Sequence, residues 1–175
     1  MRAVSRIQQE IKQTRPFASP GQEAMVALLR TADVVRRAVS RAVEPAGVTL
    51  QQFNVLRILR GAGAEGLPTL EIGERLVEQT PGTTRLVDRL VEKGWVRRCE
   101  GRDRRQVLCR ITPEGLALLS SLDGPVLAVA ARLGGASMKP ADLARLVSLL
   151  DAVRCAHSSE PAPGSPRPNL ERKTK

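Results

Sequence analysis

The sequence predicts a mainly α-helical chain with one small β-hairpin set between long helices. Three observations predict it. Apolar residues recur at i, i+3, i+4 and i+7 over long stretches. Two short β-like runs meet across a polar loop. Thr-Pro pairs at 80–81 and 112–113 mark helix starts. With 175 residues the chain is long enough for one domain with tails.

Residues 1–21 are a basic flexible leader ending in Pro16, Ser19, Pro20 and Gly21. Val4, Ile7 and Ile11 have helical spacing, so a short helix is one reading there and a frayed terminus the other. Over 22–44, Met25, Leu28, Leu29, Ala32, Val35, Val39 and Ala42 mark one helix face, with Arg30, Asp33, Arg37, Arg41 and Glu44 opposite. Pro45-Ala46-Gly47 ends that helix. Thr49 to Gln52 is a capping box. Phe53, Val55, Leu56, Ile58 and Leu59 make the helix it opens apolar nearly all round, which calls for burial on most sides. Three glycines between Gly61 and Gly66 predict a flexible break.

Thr69–Val77 reads as a short helix with Glu71 and Glu74 in its early turns, where the helix dipole favours them. Glu78-Gln79 is a turn. Thr80 and Pro81 are the N-cap and first residue of a further helix that runs to Lys93 and stops at Gly94. In it Leu86, Val87, Leu90 and Val91 face inward, and Arg85, Asp88, Arg89 and Glu92 outward. Trp95–Cys99 and Gln106–Ile111 are the β-like runs, with Trp95 as the anchor of the hairpin. Thr112-Pro113-Glu114 opens a helix carrying Leu116, Leu119 and Leu122 on one side. Gly124-Pro125 should kink or break it before the pattern resumes to Leu133. Pro140 starts the last helix, striped by Leu143, Leu146, Val147, Leu150 and Val153. Residues 158–175 hold four prolines and one large apolar residue, Leu170, and predict a disordered basic tail.

Charge narrows the function. Lys plus Arg is 28 against 18 Asp plus Glu, a net charge of +10. Of those 28, 23 are Arg, the residue that makes forked contacts to phosphates and base edges. Residues 80–111 hold nine basic and four acidic residues, a net +5; residues 1–20 hold +3 and 158–175 hold +2, leaving zero for the rest. The body's positive charge is therefore concentrated in one short segment, and nucleic acid is the expected partner. Only Phe17, Phe53 and Trp95 are aromatic, which argues against modules that stack exposed bases.

Other classes are poorly served. The longest apolar run, Val126–Ala131, falls far short of the ~18 residues a membrane span needs, and no signal-like core opens the sequence. A cytoplasmic location and no membrane partner are expected. Cys99, Cys109 and Cys155 form no CxxC pair, so neither a disulfide framework nor a metal site is expected. His157 is the only histidine. Without paired carboxylates in a cleft, a Ser/His/Asp set or a phosphate-cradling glycine loop, no catalytic residues and no enzyme are expected.

Two short helices joined by a tight turn and followed at once by a hairpin are the layout of a winged helix-turn-helix, here over 49–111. Its second helix would lie in the DNA major groove. Thr83, Thr84, Arg85 and Arg89 are the candidate reading residues, since Arg pairs with guanine and Thr bonds several bases or touches a thymine methyl. The loop tip carries Arg102, Asp103, Arg104 and Arg105, a wing able to reach the minor groove. Arg97 and Arg98 are candidate phosphate contacts, as is Arg110.

The stretch TRLVDRLVEKGWVRR (84–98) followed by RDRRQVLCRITPEG (102–115) resembles the multiple antibiotic resistance regulator (MarR) family. VTLQQFNVLRIL (48–59) and TLEIGERL (69–76) also match its pattern, and the likeness extends from about Gln22 to Ala156. The resemblance implies a MarR-like domain over 22–157, with helices 22–44 and 112–157 interlocking in a homodimer. It implies that Arg105 enters the minor groove while Asp103 orients its basic neighbours. It further implies a bacterial or archaeal repressor, nucleoid-associated when bound, on a palindromic operator of double-stranded DNA. A small aromatic or anionic effector would release it, and no other cofactor is implied.

Arg30 and Arg37 are candidate anion holders for such a ligand, against the plainer reading of a solvated helix face. Cys99 and Cys109 read as small packers. Cys155 near the end of the last helix is a candidate for meeting its symmetry mate. The alternative function is a winged-helix protein-interaction module, or non-specific nucleic-acid binding through the basic tails.

Overall fold

The computed structural model describes residues 5–78, 81–101, 106–135 and 138–158. The chain forms two compact units, Met1–Leu133 and Gly134–Lys175. Within the first, helix α1 (Arg6–Glu10) packs on the long helix α2 (Pro20–Val43). The leader thus holds one short helix. The α2 start is earlier than the apolar periodicity placed it. Ser19 Oγ accepts the Gln22 N–H at 3.1 Å and Pro20 occupies the first turn, a cap-plus-proline start outside the apolar stripe.

Helix α3 (Leu50–Ala62) opens on the expected capping box, with the Gln52 N–H on Thr49 Oγ1 at 3.2 Å and the Thr49 N–H on Gln52 Oε1 at 3.1 Å. That reciprocal pair is why a glutamine can be buried there. The expected break at Gly61 is corrected: the helix continues through it, and Gly63, at φ +62°, is the stop. A short strand β1 (Leu67–Pro68) follows, too brief for any alternating pattern to show it. Gly66 before it has φ +72°, and an added Cβ would lie 2.6 Å from the Cys109 carbonyl oxygen.

Helices α4 (Thr69–Arg75) and α5 (Thr83–Glu92) bury Ile72, and Val87 with Leu90, respectively. The expected α5 start at Thr80-Pro81 is corrected. Gly82, at φ +104°, is the N-cap, a left-handed residue that cannot belong to the helix. The expected stop at Gly94 is present. The Gly94 N–H bonds the Val91 carbonyl at 2.9 Å and the Trp95 N–H bonds the Leu90 carbonyl at 3.0 Å, with Gly94 at φ +73°. This double closure satisfies the last carbonyls of α5.

Strands β2 (Val96–Glu100) and β3 (Val107–Ile111) form the predicted antiparallel hairpin. β1 joins β3 at the other edge, giving the order β1-β3-β2. Helix α6 (Pro113–Arg132) is capped by Thr112, whose Oγ1 accepts the Gly115 N–H at 3.1 Å and donates to the Gly94 carbonyl at 2.7 Å. One threonine thus ties the α5 stop to the α6 start. Gly115 must be glycine, since a Cβ there would lie 2.3 Å from the Trp95 carbonyl oxygen. Gly124-Pro125 does not break α6, which runs unbroken through both. Both residues are exposed, so the carbonyl freed by proline can turn to water.

The core is aliphatic apart from Phe53 and Cys109. Val43, Val55, Leu56, Leu59, Ile72, Val87, Leu90 and Leu119 are fully buried within it. Arg60 of α3 holds Asp123 of α6 at 2.8 Å. That hydrogen bond keeps the Asp123 carboxyl below the usual carboxylate range. By length and composition alone α6 could cross a membrane, yet its Leu119 and Leu122 are core residues. In the second unit, helix α7 (Pro140–Ser158) starts where Asp142 Oδ2 accepts the Lys139 N–H at 2.9 Å. Val147, Leu149 and Val153 on it are exposed.

Candidate nucleic-acid interface

Helices α4 and α5 form the helix-turn-helix, and Gly73 of α4 faces Thr83 of α5. A Cβ at Gly73 would sit 3.1 Å from Thr83 Oγ1, so glycine lets the first turn of α5 approach α4. Sequence reasoning missed Gly73, since a lone glycine in a short helix carries no pattern. Between the two helices runs an open groove of about 500 Å³, lined by Thr69, Leu70, Gly73, Glu74, Pro81, Thr83 and Thr84.

Inward Val87 and Leu90 fix the rotation of α5. Thr84, Arg85 and Arg89 are therefore exposed, while Thr83 is half-buried against α4. Among the described residues neither Arg85 nor Arg89 has an acidic partner. Gly82 supplies no side-chain cap, and among the described residues no side chain accepts the first N–H groups of α5.

The sheet places the other candidates differently. Arg98 reaches from β2 to Asp88 on α5, so it ties the hairpin to the reading helix. The packing of β2 against α5 creates that pair, and no sequence spacing announces it. Arg97 stands opposite Arg110 across the hairpin. Like charges directly opposite cost stability unless an anion or another acceptor relieves them. Arg110 Nε donates to the Glu65 carbonyl at 3.3 Å, which relieves part of it. The tip residues Arg102, Asp103, Arg104 and Arg105 lie outside the described residues. Trp95 is half-buried against the core, with the Lys93 ammonium 4.5 Å from its ring centre.

The two arginines proposed for a ligand are held unequally. Arg37 pairs with Asp33 at 2.6 Å, and Arg36 bonds the same carboxylate at 3.0 Å. The Arg36 hydrogen bond, with help from Arg37 and Arg30, lowers the Asp33 pKa. Arg36 also reaches Glu78, just past α4, at 3.6 Å. Arg30 lines a groove of about 360 Å³ between α1 and α2, with Ile7, Ala27 and Val34 among its apolar walls. Arg37 does not line it. Cys109 is buried, Cys99 is half-buried, and Cys155 and His157 are exposed. Among the described residues no three His, Cys, Asp or Glu side chains gather as a metal site.

A helix-turn-helix with a hairpin wing and an outward row of Thr and Arg is a winged-helix reading head. The comparisons name its family. A sequence model of the MarR family matches residues 46–106. The uncharacterized HTH-type transcriptional regulator YwoH of Bacillus subtilis is 34% identical over 85 residues, 49% of this chain and 61% of that protein. The match thus spans less than two thirds of that curated relative. The crystal structure of a MarR transcription factor from Planctomyces limnophilus is 33% identical with a TM-score of 0.57, covering 82% of this chain and all of that one. CouR from Rhodococcus jostii RHA1, bound to p-coumaroyl-CoA, shares the fold at 24% identity and a TM-score of 0.63 over 78% of this chain and 95% of that one. The chain belongs to the MarR family of DNA-binding transcriptional regulators, which are not enzymes.

Proposed function

We propose that the protein binds a roughly palindromic operator as a homodimer in the cytoplasm, represses transcription from it, and is released by a small aromatic or anionic effector. The observation that carries the DNA-binding part is the pair Arg85 and Arg89, outward on α5 without acidic partners among the described residues. A helix with Val87 and Leu90 inward can enter a major groove and present both guanidinium groups to base edges. The start of α5, whose N-cap Gly82 has no side chain, and Arg97 supply phosphate contacts beside it. Residues 102–105 add three arginines and one aspartate, a net +2, to the sequence between β2 and β3.

Dimerisation follows from apolar surface. Met25, Leu29 and Val34 on α2, and Leu127 on α6, are at least half exposed. A second copy of the chain is the natural cover for faces of this kind. Release by a ligand is supported by CouR, which carries p-coumaroyl-CoA, and by Arg30 above apolar walls. Such a ligand acts only by binding one dimer geometry better than the other.

The test is selection of bound duplexes from a random pool, followed by titration of the selected and scrambled sequences. A palindromic consensus, with Arg89→Ala lowering its affinity at least tenfold and leaving the dimer intact, is the expected result. Equal affinity for selected and scrambled DNA would favour a non-specific or protein-interaction role instead.

A further inference from the structure

The groove between α4 and α5 contains an exposed leucine. Leu70 is 77% exposed, although it belongs to a helix that buries Ile72 and is followed at once by buried Leu76. Lying two residues before Ile72, it points about 200° away from that residue, so packing within this lobe cannot bury it. It lines the same groove as Thr83 and Thr84. Any base that faces those threonines is therefore within reach of Leu70.

The groove's chemistry narrows what lies there. An aliphatic side chain offers a phosphate no hydrogen bond. Glu74, one turn on from Leu70 and lining the same groove, repels a phosphate. A base edge fits better, and thymine is the base that presents an apolar group, its C5-methyl, in the major groove. We propose that Leu70 is a specificity residue that receives the methyl group of one thymine in each half-site, beside Thr84. The inference rests on the DNA-binding reading.

The experiment uses the full chain and its selected operator. Each thymine of the half-site is replaced in turn by deoxyuridine, which removes only the methyl group, and dissociation constants are measured for the wild type, Leu70→Ala and Leu70→Met. At one thymine the replacement should weaken the wild type about fourfold per half-site, the worth of one methyl-sized group kept from water. Leu70→Ala should already be weakened and lose nothing more there, while Leu70→Met keeps the methyl preference. A uniform loss by Leu70→Ala on operator and scrambled duplex alike would overturn the inference in favour of a backbone contact. So would a methyl penalty that persists in Leu70→Ala. If the wild type selects no sequence at all, the DNA-binding reading fails first and takes this inference with it.

Discussion

The reading lobe and the long helix α2 treat charge and apolar surface in opposite ways. On α5 the apolar residues Val87 and Leu90 are buried, while Arg85 and Arg89 stand out without acidic partners among the described residues. On α2 Arg36 and Arg37 share the Asp33 carboxylate, while Met25, Leu29 and Val34 are exposed. Each region leaves uncovered what its partner would supply. Unpaired guanidinium groups suit a polyanion, and unpaired aliphatic side chains suit another aliphatic face. The contrast teaches that the two surfaces suit covers of different kinds, although both belong to one compact unit.

Salt tests the charged half of that contrast and carries the largest effect. If the dimer neutralises roughly 6–10 phosphates, affinity should fall about 10³–10⁵-fold between 50 and 200 mM salt, measured by fluorescence anisotropy. A slope near zero would remove the electrostatic role given to α5 and the wing. The apolar half is tested by Leu29→Glu on α2. Burying a leucine is worth about 2 kcal/mol, so a charged replacement in both copies should shift sedimentation from dimer toward monomer. Because Leu29 is 65% exposed in the single chain, the fold should survive, as circular dichroism would show. An unchanged dimer would place the interface elsewhere.

The smallest effect concerns the ion pairs. Asp123 has its pKa lowered chiefly by the hydrogen bond from Arg60, and Asp33 by that from Arg36. A carboxylate whose folded pKa is depressed stabilises the fold above its unfolded value and loses that contribution as pH falls through the folded one. Melting temperature should therefore be insensitive to these groups from pH 5 to 8 and decline below about pH 4. Asp123→Asn should flatten part of that acid limb at a cost near neutral pH of at most about 1 kcal/mol, since the pair is well exposed. A cost of Asp123→Asn that changes with pH between 5 and 8 would contradict the assignment.

Much of this fold was legible because its signals are local. Thr49 with Gln52, Thr112 with Pro113 and the Gly94 stop each act within a few residues, and all three hold. The hairpin runs were legible for the same reason. Misplaced elements had signals that compete at short range. Thr80-Pro81 looked like a helix start until Gly82 took a left-handed conformation. Gly61 looked like a break, but burial of Leu56 and Leu59 carries α3 past it.

The amino-acid order by itself determined which faces are apolar, where helices can begin and end, and where positive charge gathers. Those properties depend on neighbours three or four residues apart. Tertiary structure alone decided the contacts that build the site. It set Gly73 against Thr83, Asp88 against Arg98 and Arg60 against Asp123, and it placed Leu70 in the groove with Thr84. It also decided that Arg85 and Arg89 have no acidic partner among the described residues, because a guanidinium is neutralised by whichever carboxylate the packing of other elements brings near it.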